Sequence, residues 1–535
     1  MLAPTRAWYE SAVLRSLRLQ NFRSLRDTGD VELRPIILLV GANSSGKSSF
    51  LRFFPLLKQT TLTNSRSPLL WFGEDPGLVD FNSFHNTLLR AAKDPWIEVS
   101  GSCRLDGRDP ADYSFDFTAR IAAGNDDRSF VQRFTIAALG DELQFDVAAD
   151  ATLGAIRLNG RELAPSAGRI SQHRVGLLPR LEGATPSAGR ISQHRVGLIP
   201  RLEGATFGVL ADQLLNEKIW EQVHGSTSDN KLDFIAGHIE HGPADHVLQT
   251  MRSVRGGVKT WRDNIEPLSE DSKYVAEIKE LVFLRSAGSY ISELESTVTR
   301  FARGVRYLGP FRRPPERFYR KSELAVDEID RDGNNLAMFL DSLDPADSAA
   351  FSAWVREHFG FGIRTERRDA HVALMIDSPT SSGFNLIDMG FGMSQLLPVV
   401  AQCWLSSGQL RSSQISLFRD PMRSVLPGTA PMLIAVEQPE LHLHPHHQAQ
   451  LADMFSNTAS ATNAIGQPLS LCIETHSEAM IYRFGELVEE GKLRPEDISI
   501  LFFEKQAGRD ETSVRPIEFD ATGVLQDWPI GFFRG

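Results

Sequence analysis

The sequence has few cysteines, no long apolar run and no excess of positive charge, and each absence excludes a class of protein. Its 535 residues include three cysteines, too few for a disulfide framework, so we expect a reducing, cytoplasmic setting. No apolar stretch approaches the ~20 residues that cross a bilayer, and the N-terminus lacks a signal-peptide core, so no membrane role is expected. Lys and Arg number 57 against 68 Asp and Glu, a net charge of −11. Such a chain is not expected to coat nucleic acid, although a local basic patch can still bind it.

The composition and the length indicate a folded protein with several domains. Hydrophobic residues make up 41% and charged residues 23% of the sequence, which is typical of a soluble globular chain and not of a disordered or fibrous one. At roughly 150 residues per domain, the length predicts three to four folding units. We place their boundaries at 1–94, 95–206, 207–300 and 301–535.

The spacing of apolar residues predicts an α/β protein with two inserted regions. Ile36–Val40 is wholly apolar, as expected for a strand covered on both faces. Alternation with period two between about 95 and 160 predicts an antiparallel β subdomain, and helical spacing from about 207 to 300 predicts a mostly helical insertion. Later apolar runs predict that distant residues complete an α/β sheet. These runs are Val372–Ile376, Met432–Val436, Leu469–Ile473 and Ile498–Phe503.

A tandem repeat lies inside the second region. Pro165–Thr185 recurs at Pro186–Thr206 with one change, Leu178 to Ile199. Repeat architectures diverge between copies and need at least about three units to bury a core. Two nearly identical copies therefore indicate a recent duplication tolerated in a loop, with a duplicated binding element as the alternative.

The strongest motif directly follows the apolar strand Ile36–Val40. Gly41-Ala-Asn-Ser-Ser-Gly46-Lys47-Ser48 fits G-x-x-x-x-G-K-[ST], and a helical run follows it. Glycines let backbone amides surround phosphates, the helix N-terminus favours negative charge, the lysine reaches the β- and γ-phosphates, and the serine holds Mg²⁺. The motif predicts that ATP and Mg²⁺ bind here. The expected contacts are Gly41, Asn43, Ser44, Ser45, Gly46, Lys47, Ser48 and Ser49.

Polar residues at the ends of later strands are candidate partners for this loop. Glu437 follows Met432–Val436 and offers the second acidic group that P-loop enzymes use to complete Mg²⁺ coordination. His476 follows Leu469–Ile473 in the string Glu-Thr-His-Ser, where a polar residue can sense the γ-phosphate. A glycine-rich turn at 390–395 opens a helix and is a second candidate for a phosphate-binding N-terminus.

These elements, with long insertions between the P-loop and the later motifs, resemble one group of proteins in their kind and order. The group is that of the OLD-like and SMC-related ABC-type ATPase heads, known as AAA family ATPases. The resemblance covers Leu17–Phe50 and then 307–535. Its most specific string is Glu437-Gln-Pro-Glu-Leu-His-Leu-His-Pro445, and the ending Asp527–Phe533 is similar to a subgroup with an uncharacterised C-terminal domain. The inserted region 95–300 is not part of the resemblance.

The resemblance implies an ABC-type P-loop ATPase head whose two parts are 1–94 and 301–535. Such heads form a homodimer with ATP between the subunits, or a higher assembly of dimers. Lys47 and Ser48 would bind the nucleotide and Mg²⁺ from one protomer, Glu437 would complete the metal site, and His476 would correspond to the switch histidine. A degenerate signature motif would contact the γ-phosphate from the second subunit. Its residues are Gly392, Ser394 and Gln395.

Gln438 departs from the pattern of this group, in which the residue after the metal-side acid is a carboxylate that orients the attacking water. An amide can hydrogen-bond water but cannot take its proton, and the loss of a general base costs about 10²–10⁴ in rate. We therefore expect slow hydrolysis and a long-lived ATP-bound dimer. The alternative is that another carboxylate, such as Glu440, substitutes.

The function expected by this resemblance is an ATPase that regulates a partner effector in bacterial anti-phage defence. OLD nucleases carry a C-terminal Toprim domain, but the residues after His476 show no carboxylate cluster of that kind. Cutting is therefore expected from a separate nuclease, as in Septu-type defence ATPases, which work with an HNH nuclease. Because fold does not settle function, two rivals stay open: a nucleotide-gated scaffold without catalysis, and a DNA repair or maintenance ATPase that clamps DNA.

Two further clusters have a functional and a structural interpretation. His442 and His444 fall on one side of an extended segment and suit a transition metal, but no cysteine is adjacent and Pro445 is expected to begin a helix. Tyr307–Lys321 interleaves arginines with aromatics, as contacts to nucleic acid do, whereas its three prolines favour a rigid junction against the ATPase lobe. We favour the structural interpretation of both, with nucleic acid as the alternative for the second.

Overall fold

The structure of the chain is a computed structural model. It describes residues 12–62, 67–73, 77–90, 95–105, 114–124, 128–149, 153–163, 170–171, 180–181, 204–255, 258–321, 326, 328–378, 381–408, 432–461, 469–505, 508 and 510–529. Most of the tandem repeat at 165–206 lies outside the described residues, so the prediction that it arose by duplication in a loop concerns residues that the structure does not describe. Within the first copy, Ile170 pairs with Leu181 in a two-residue antiparallel ladder.

The strands are numbered in chain order. They are β1 (Ala12–Phe22), β2 (Leu25–Asp27), β3 (Val31–Glu32), β4 (Ile36–Gly41), β5 (Trp96–Leu105), β6 (Ser114–Ala123), β7 (Ser129–Ala138), β8 (Asp141–Val147), β9 (Leu153–Leu158), β10 (Arg161–Glu162), β11 (Ile170–Ser171), β12 (Arg180–Leu181), β13 (Val305–Leu308), β14 (Tyr319–Arg320), β15 (Gly362–Arg368), β16 (His371–Ser378), β17 (Ser381–Asn385), β18 (Leu433–Glu437), β19 (Ser470–Glu474), β20 (Ile498–Lys505) and β21 (Thr512–Ile517).

The helices are numbered in the same way. They are α1 (Lys47–Leu51), α2 (Phe53–Leu62), α3 (Phe84–Thr87), α4 (Gly204–Trp220), α5 (Asp229–His238), α6 (Ala244–Ser253), α7 (Lys259–Ile265), α8 (Lys273–Arg303), α9 (Leu336–Ser342), α10 (Pro345–Phe359), α11 (Phe391–Ser406), α12 (Pro445–Ser460) and α13 (Glu478–Glu489), with short 3₁₀ turns at Leu386–Met389 and Pro495–Asp497. In the described ranges, none of the helices combines the length and the apolar character that a bilayer crossing requires.

The chain divides into two compact units, each built from separated segments. The first unit comprises Met1–Arg18, Asn64–Leu69 and Asp94–Val298. The second comprises Leu19–Thr63, Leu70–Lys93 and Thr299–Gly535. The second unit therefore combines the two stretches of sequence that carry the P-loop and the later strand-end motifs.

A mostly parallel sheet forms the centre of the second unit. Its strands lie in the order β2-β21-β20-β4-β19-β18-β13, and the ladders that join β20, β4, β19, β18 and β13 are all parallel. The P-loop strand β4 is central, and β19 lies between it and β18. The C-terminal ends of β4, β19 and β18 therefore meet at one edge of the sheet. This confirms the prediction of a mixed α/β fold whose sheet is completed by residues distant in sequence.

Helices cover this sheet on both faces because β4 is apolar throughout and β18 and β19 are mostly apolar. Ile36, Leu38 and Val40 of β4 pack into the large core formed with α11, α12 and α13. Ile37 and Leu39 are equally buried and point to the opposite face, since side chains alternate along a strand. The helices α1 and α2, which follow the P-loop, contact β4, β19, β18 and β13. The P-loop therefore lies between a fixed strand and a packed helix.

The strand predicted at Val372–Ile376 forms, but it belongs to a smaller antiparallel sheet and not to the mostly parallel sheet that the sequence predicts for it. Val372–Ile376 lies within β16, which pairs antiparallel with β15, β14 and β17 in a separate sheet of the second unit. Arg368 pairs with His371, so two residues connect β15 to β16, and Asp369 has the positive φ (51°) that such tight turns need. An apolar run predicts a buried strand, but it does not reveal that a local hairpin will supply its partner.

The first unit contains the predicted antiparallel strands and the predicted helical insertion. Strands β5 to β9 form an antiparallel meander in sequential order, and the N-terminal part of β1 lies beside β5, where the Ser16 and Ser102 hydroxyls are 2.8 Å apart. Helices α4 to α8 enclose their own apolar core, which includes Trp261 and Ile278. Lys279 of α8 binds Asp141 of β8 over 2.7 Å and joins the two parts.

Candidate nucleotide-binding site

The loop between β4 and α1 has a shape that requires its glycines. Gly41 has a φ of 155°, and a Cβ atom there would lie 2.3 Å from the carbonyl oxygen of Phe503 on β20. Gly46 has a φ of 96°, and a Cβ atom there would lie 2.6 Å from Ser24 Oγ. Because L side chains rarely adopt these φ values and neither position has room, glycine is needed at both. The predicted P-loop therefore forms, in the predicted context of strand and helix.

Lys47 and Ser48 begin α1 and direct their polar atoms towards the loop and the cleft in front of it. Lys47 Nζ donates hydrogen bonds to the carbonyl oxygens of Gly41 (2.9 Å) and Ala42 (2.8 Å), and burial lowers the pKa of Lys47. Ser48 Oγ donates a hydrogen bond of 3.0 Å to Glu474 Oε1. The P-loop residues that line the cleft are Asn43, Ser44, Ser45, Gly46, Lys47, Ser48 and Ser49.

The cleft has a volume of ≈ 580 Å³ and an excess of positive charge. Its cationic side chains are Arg23, Lys47, Arg52, Arg90 and Lys505, and its acidic ones are Glu474 and Asp510. Burial lowers the pKa of Arg23, and the neighbouring charges of Arg52 and Arg90 lower it further. An anion bound here would relieve this repulsion. The size suits a small-molecule ligand, and the charge suits a polyphosphate.

Two residues predicted to act in catalysis reach the same cleft from neighbouring strand ends. Gln438 follows β18, and its backbone N–H donates to the Glu474 carbonyl oxygen over 2.9 Å. His476 follows β19, and its Nε2 atom is buried without a hydrogen-bond partner among the described residues. Burial lowers the pKa of His476 to about 4, and the charge of Lys47 acts in the same direction, so this imidazole is neutral near pH 7. The structure thus brings Lys47, Gln438 and His476 to one cleft.

Glu440, the alternative carboxylate for water activation, lies behind His476. Its Oε1 accepts a hydrogen bond of 2.7 Å from the His476 backbone N–H, and burial raises the pKa of Glu440. Glu440 is not one of the described residues that line the cleft. This carboxyl group therefore supports the backbone at His476 and does not face the space where a nucleotide would bind.

Glu437, which the sequence predicted as a metal ligand, is engaged by protein groups. Its Oε1 accepts hydrogen bonds of 2.7 Å from Arg52 Nε and 2.7 Å from the Tyr307 hydroxyl. Its Oε2 accepts one of 2.8 Å from Arg52 Nη2, and Arg312 donates to its backbone oxygen over 3.0 Å. The side chain is 2% exposed. Both carboxylate oxygens are therefore held in a buried ion pair.

Glu474 is the carboxylate that faces the cleft, and sequence reasoning gave it no role. Its side chain is 4% exposed, and its Oε2 atom has no hydrogen-bond partner among the described residues. Burial raises the pKa of Glu474 to about 7, and the nearby charge of Glu437 acts in the same direction. The signal available in the sequence was the position of Glu474 directly after the apolar run Leu469–Ile473. Arg52 was missed too, although it lies one helical turn after Ser48 on the same face.

The oxygen donors beside the P-loop fit a magnesium ion that is shared with a bound nucleotide. Mg²⁺ in such sites keeps several waters and binds one or two protein oxygens together with the substrate phosphates. Ser48 Oγ and the carboxylate of Glu474 are hard oxygen donors of this kind. Among the described residues, no group of three or more His, Cys, Asp or Glu side chains could hold a metal by itself. The residues present therefore suit Mg²⁺ only in company with a ligand.

The predicted signature residues lie at the start of α11, where the side chain of Gln395 is hydrogen-bonded to the backbone of Arg312. Its amide donates to the Arg312 carbonyl oxygen (3.2 Å) and accepts from the Arg312 backbone N–H (3.3 Å), and the side chain is buried. Ser394 Oγ donates to the Phe391 carbonyl oxygen within the first turn. Gly392 packs so closely that a Cβ atom would lie 2.5 Å from the His442 carbonyl oxygen. Contact of these residues with a second subunit's nucleotide stays a prediction.

The histidines after Glu440 do not form the extended pair that a metal would need. His442 has a φ of 62°, in the left-handed region, so it and His444 do not alternate along an extended segment. His442 contacts the Phe391 ring, and His444 caps α12 by accepting the His446 backbone N–H. Pro445 begins α12 as predicted. These contacts account for both histidines without a metal.

The arginine-rich segment 307–321 makes contacts that favour its structural interpretation. Arg312 is 3% exposed and binds the end of β18. Arg313 pairs with Asp332 over 2.9 Å, and Arg317 forms a double hydrogen bond with Asp388. Side chains that are buried or paired in this way tie the segment to the rest of the second unit. Contact with nucleic acid stays a prediction.

Comparisons with known proteins find similarity to an ATPase domain over part of the chain and a distant structural likeness to SMC head domains. Residues 13–137 match the family described as AAA ATPase domain, and residues 493–533 match a protein family of unknown function, DUF3696. No curated protein matches the chain. A Pyrococcus furiosus Smc head domain with an extended coiled coil, bound to the C-terminal domain of ScpA, is 11% identical over 95% of this chain and 96% of that chain, with a TM-score of 0.35. The SMC head domain of Thermotoga maritima is 9% identical over 95% and 99%, with a TM-score of 0.34. The segment that contains the P-loop is thus similar to an AAA ATPase domain.

Proposed function

We propose that this chain is an ABC-type ATPase that binds ATP with Mg²⁺ in the cleft of its second unit. The observation that carries the proposal is the convergence of Lys47, Ser48, Gln438 and His476, from the P-loop and two strand ends, on one positively charged cleft. The match of residues 13–137 to an AAA ATPase domain supports it. A polyphosphate would find there the backbone amides of a P-loop and a buried ammonium group.

The same geometry favours slow hydrolysis. Lys47 would exchange its bonds to the loop carbonyls for the β- and γ-phosphates, and bound Mg²⁺ would neutralise charge between those phosphates. Neutral His476 would hydrogen-bond the γ-phosphate. Gln438 lines the cleft where an attacking water would lie, and its amide can orient that water but cannot accept the proton. The nucleotide-bound state would therefore persist.

We further propose that this persistent state is a homodimer. Phe311 is 86% exposed, Phe391 is 44% exposed and Ile387 is 40% exposed. Phe391 is the first residue of α11, Ile387 lies four residues before it, and Phe311 precedes Arg312, whose backbone N–H binds the side chain of Gln395 near the start of that helix. Exposed apolar patches of this kind mark interaction surfaces. A second copy would cover the patch while its own cleft holds the nucleotide. In sedimentation with a non-hydrolysable ATP analogue, Phe311→Ser should therefore weaken dimerisation, while the nucleotide affinity of the monomer should stay unchanged.

The proposed biological role is regulation of a partner effector in anti-phage defence, with a separate nuclease, of HNH type, as the effector. This step rests on the resemblance of the motifs to OLD-like and Septu-type ATPases and not on the geometry. Gln438 favours a second candidate, a scaffold that is gated by nucleotide and has negligible turnover. Co-purification of a nuclease that acts only with the ATP-bound chain would support the first. An ATP-dependent grip on DNA by the chain alone would support a maintenance ATPase instead.

Binding of the fluorescent analogue mant-ATP by the full chain tests the nucleotide site. Lys47→Ala removes a charge-assisted contact to phosphate worth about 1.5–3 kcal/mol, so the dissociation constant should rise by about 10–150-fold. The matched control is Lys492→Ala, an exposed lysine paired with Glu490 outside the cleft, which should bind like the unmodified chain. Equal affinity of the Lys47→Ala variant and the unmodified chain would refute the P-loop assignment.

A further inference from the structure

Two carboxylates end neighbouring strands of the sheet beside α1, and their surroundings differ. Glu437 ends β18 and Glu474 ends β19, and the two residues are paired in the register of the parallel ladder. Both side chains are buried. Either could therefore approach an ion held at the start of α1, and the contacts of their oxygens distinguish them.

The oxygens of Glu437 are not available to an ion. Arg52 binds both of them through Nε and Nη2, and the Tyr307 hydroxyl binds Oε1 as well. A guanidinium in a bidentate pair satisfies the charge of the carboxylate and fixes its orientation. A divalent cation at Glu437 would have to break this pair and would lie beside the positive charge of Arg52.

The carboxylate of Glu474 has an oxygen to spare beside the P-loop serine. Its Oε1 accepts the Ser48 hydroxyl over 3.0 Å, and its Oε2 is buried without a hydrogen-bond partner in the described part of the chain. An unsatisfied buried carboxylate oxygen is costly, and a cation would compensate that cost. The hydrogen bond from Ser48 also leaves the lone pairs of the serine oxygen for the same ion.

From these contacts we infer that Glu474, and not Glu437, is the carboxylate that joins Ser48 in holding the Mg²⁺ of a bound nucleotide. Glu437 instead has a structural role, in which it fixes Tyr307 and the cleft-lining side chain of Arg52. The inference rests on the proposed function, since Mg²⁺ would come with ATP. It reverses the assignment made from sequence, in which Glu437 completes the metal site.

Binding of Mn²⁺, followed by electron paramagnetic resonance in place of Mg²⁺, tests this assignment in the full chain saturated with the non-hydrolysable analogue AMP-PNP. Glu474→Gln should weaken Mn²⁺ binding by at least about 10–100-fold, the loss typical of groups that support a metal site. Glu437→Gln should change it by less than about threefold, since no ligand is lost. Glu486→Gln, an exposed glutamate paired with Arg483, is the matched control.

The opposite pattern, in which Glu437→Gln weakens Mn²⁺ binding and Glu474→Gln does not, would overturn the inference. Glu474→Asp keeps a carboxylate and should retain more Mn²⁺ affinity than Glu474→Gln, which separates loss of a ligand from general damage. Thermal unfolding with EDTA checks that each variant is folded. Binding of mant-ATP in EDTA separates the two claims. If the unmodified chain binds no nucleotide, the proposed function fails, and if it binds nucleotide while both variants keep Mn²⁺ affinity, this inference alone fails.

Discussion

The ion pair between Arg52 and Glu437 gives a stability prediction whose magnitude depends on which partner is removed. Glu437 is 2% exposed, and Arg52 donates two of the hydrogen bonds that reach its carboxylate. Arg52→Met would leave a buried carboxylate with only the Tyr307 hydroxyl, and breaking a buried pair in this way costs about 3–5 kcal/mol. Because Arg52 is itself 38% exposed, water reaches part of the pair, and we expect a loss of about 3 kcal/mol.

Removal of the other charge should cost less. In Glu437→Gln the amide oxygen can still accept from Tyr307, and the partly exposed Arg52 can turn to water, so a loss of about 1–2 kcal/mol is expected. The double variant Arg52→Met/Glu437→Gln should be more stable than Arg52→Met alone, because no uncompensated charge remains buried.

Urea and thermal unfolding of the chain in EDTA, without nucleotide, measure these differences. A unit of about 300 residues loses about 1.6 °C of midpoint per kcal/mol, so Arg52→Met should lower the midpoint of its transition by about 5 °C. Arg494→Met, which breaks an exposed pair with Asp497, is the matched control and should cost less than about 1 kcal/mol. The reasoning is refuted if Arg52→Met is as stable as the unmodified chain, or if the double variant is less stable than Arg52→Met.

Three further predictions follow from single sites. Gln438→Glu should raise ATP turnover by up to about 10²–10⁴, because it restores a group that can accept the proton of water, and an unchanged steady-state rate would count against the role given to Gln438. Burial lowers the pKa of His241, whose Nδ1 lies 2.9 Å from the Tyr290 hydroxyl, to about 4 from about 6.5 when unfolded. Stability should therefore be lost as the pH falls from about 6.5 to about 4, by up to about 3 kcal/mol, and thermal midpoints of His241→Gln should lack this fall if His241 causes it. Gly41→Ala should weaken mant-ATP binding more than tenfold, because a Cβ atom would lie 2.3 Å from the Phe503 carbonyl oxygen, and unaltered binding would show that the loop tolerates another shape.

Sequence reasoning succeeded where one local pattern determines the structure. The period-two strands between 95 and 160, the helical segment after 207 and the P-loop between β4 and α1 all form as predicted. Each depends on residues close together in the chain, since alternation, helical spacing and glycine conformation act over a few positions. The wrong sheet for Val372–Ile376 arose because an apolar run does not specify its partner strand, and the turn at Asp369 gave it one nearby.

Three residues predicted for the candidate site meet at one cleft, whereas the pairings of their neighbours were not predicted. Lys47, Gln438 and His476 line one cleft, because parallel strands end at the same edge of the sheet. The sequence could not show that Arg52 pairs with Glu437 or that Ser48 binds Glu474, since these contacts join residues that are 385 and 426 positions apart in the chain. The order of strands at the sheet centre, with β19 next to the P-loop strand, is the missing information.

The measurement that tests the central claim most directly is ATP turnover by the purified full chain under conditions where mant-ATP binding is saturated. Lys47→Ala gives the background. The account predicts saturable binding with a turnover that is slow for an ATPase, since Gln438 lines the cleft and no carboxylate other than Glu474 and Asp510 lines the part of it that the structure describes. Rapid turnover, abolished by Lys47→Ala and unaffected by Gln438→Ala, would contradict the account, because a group other than the one at position 438 would then activate water.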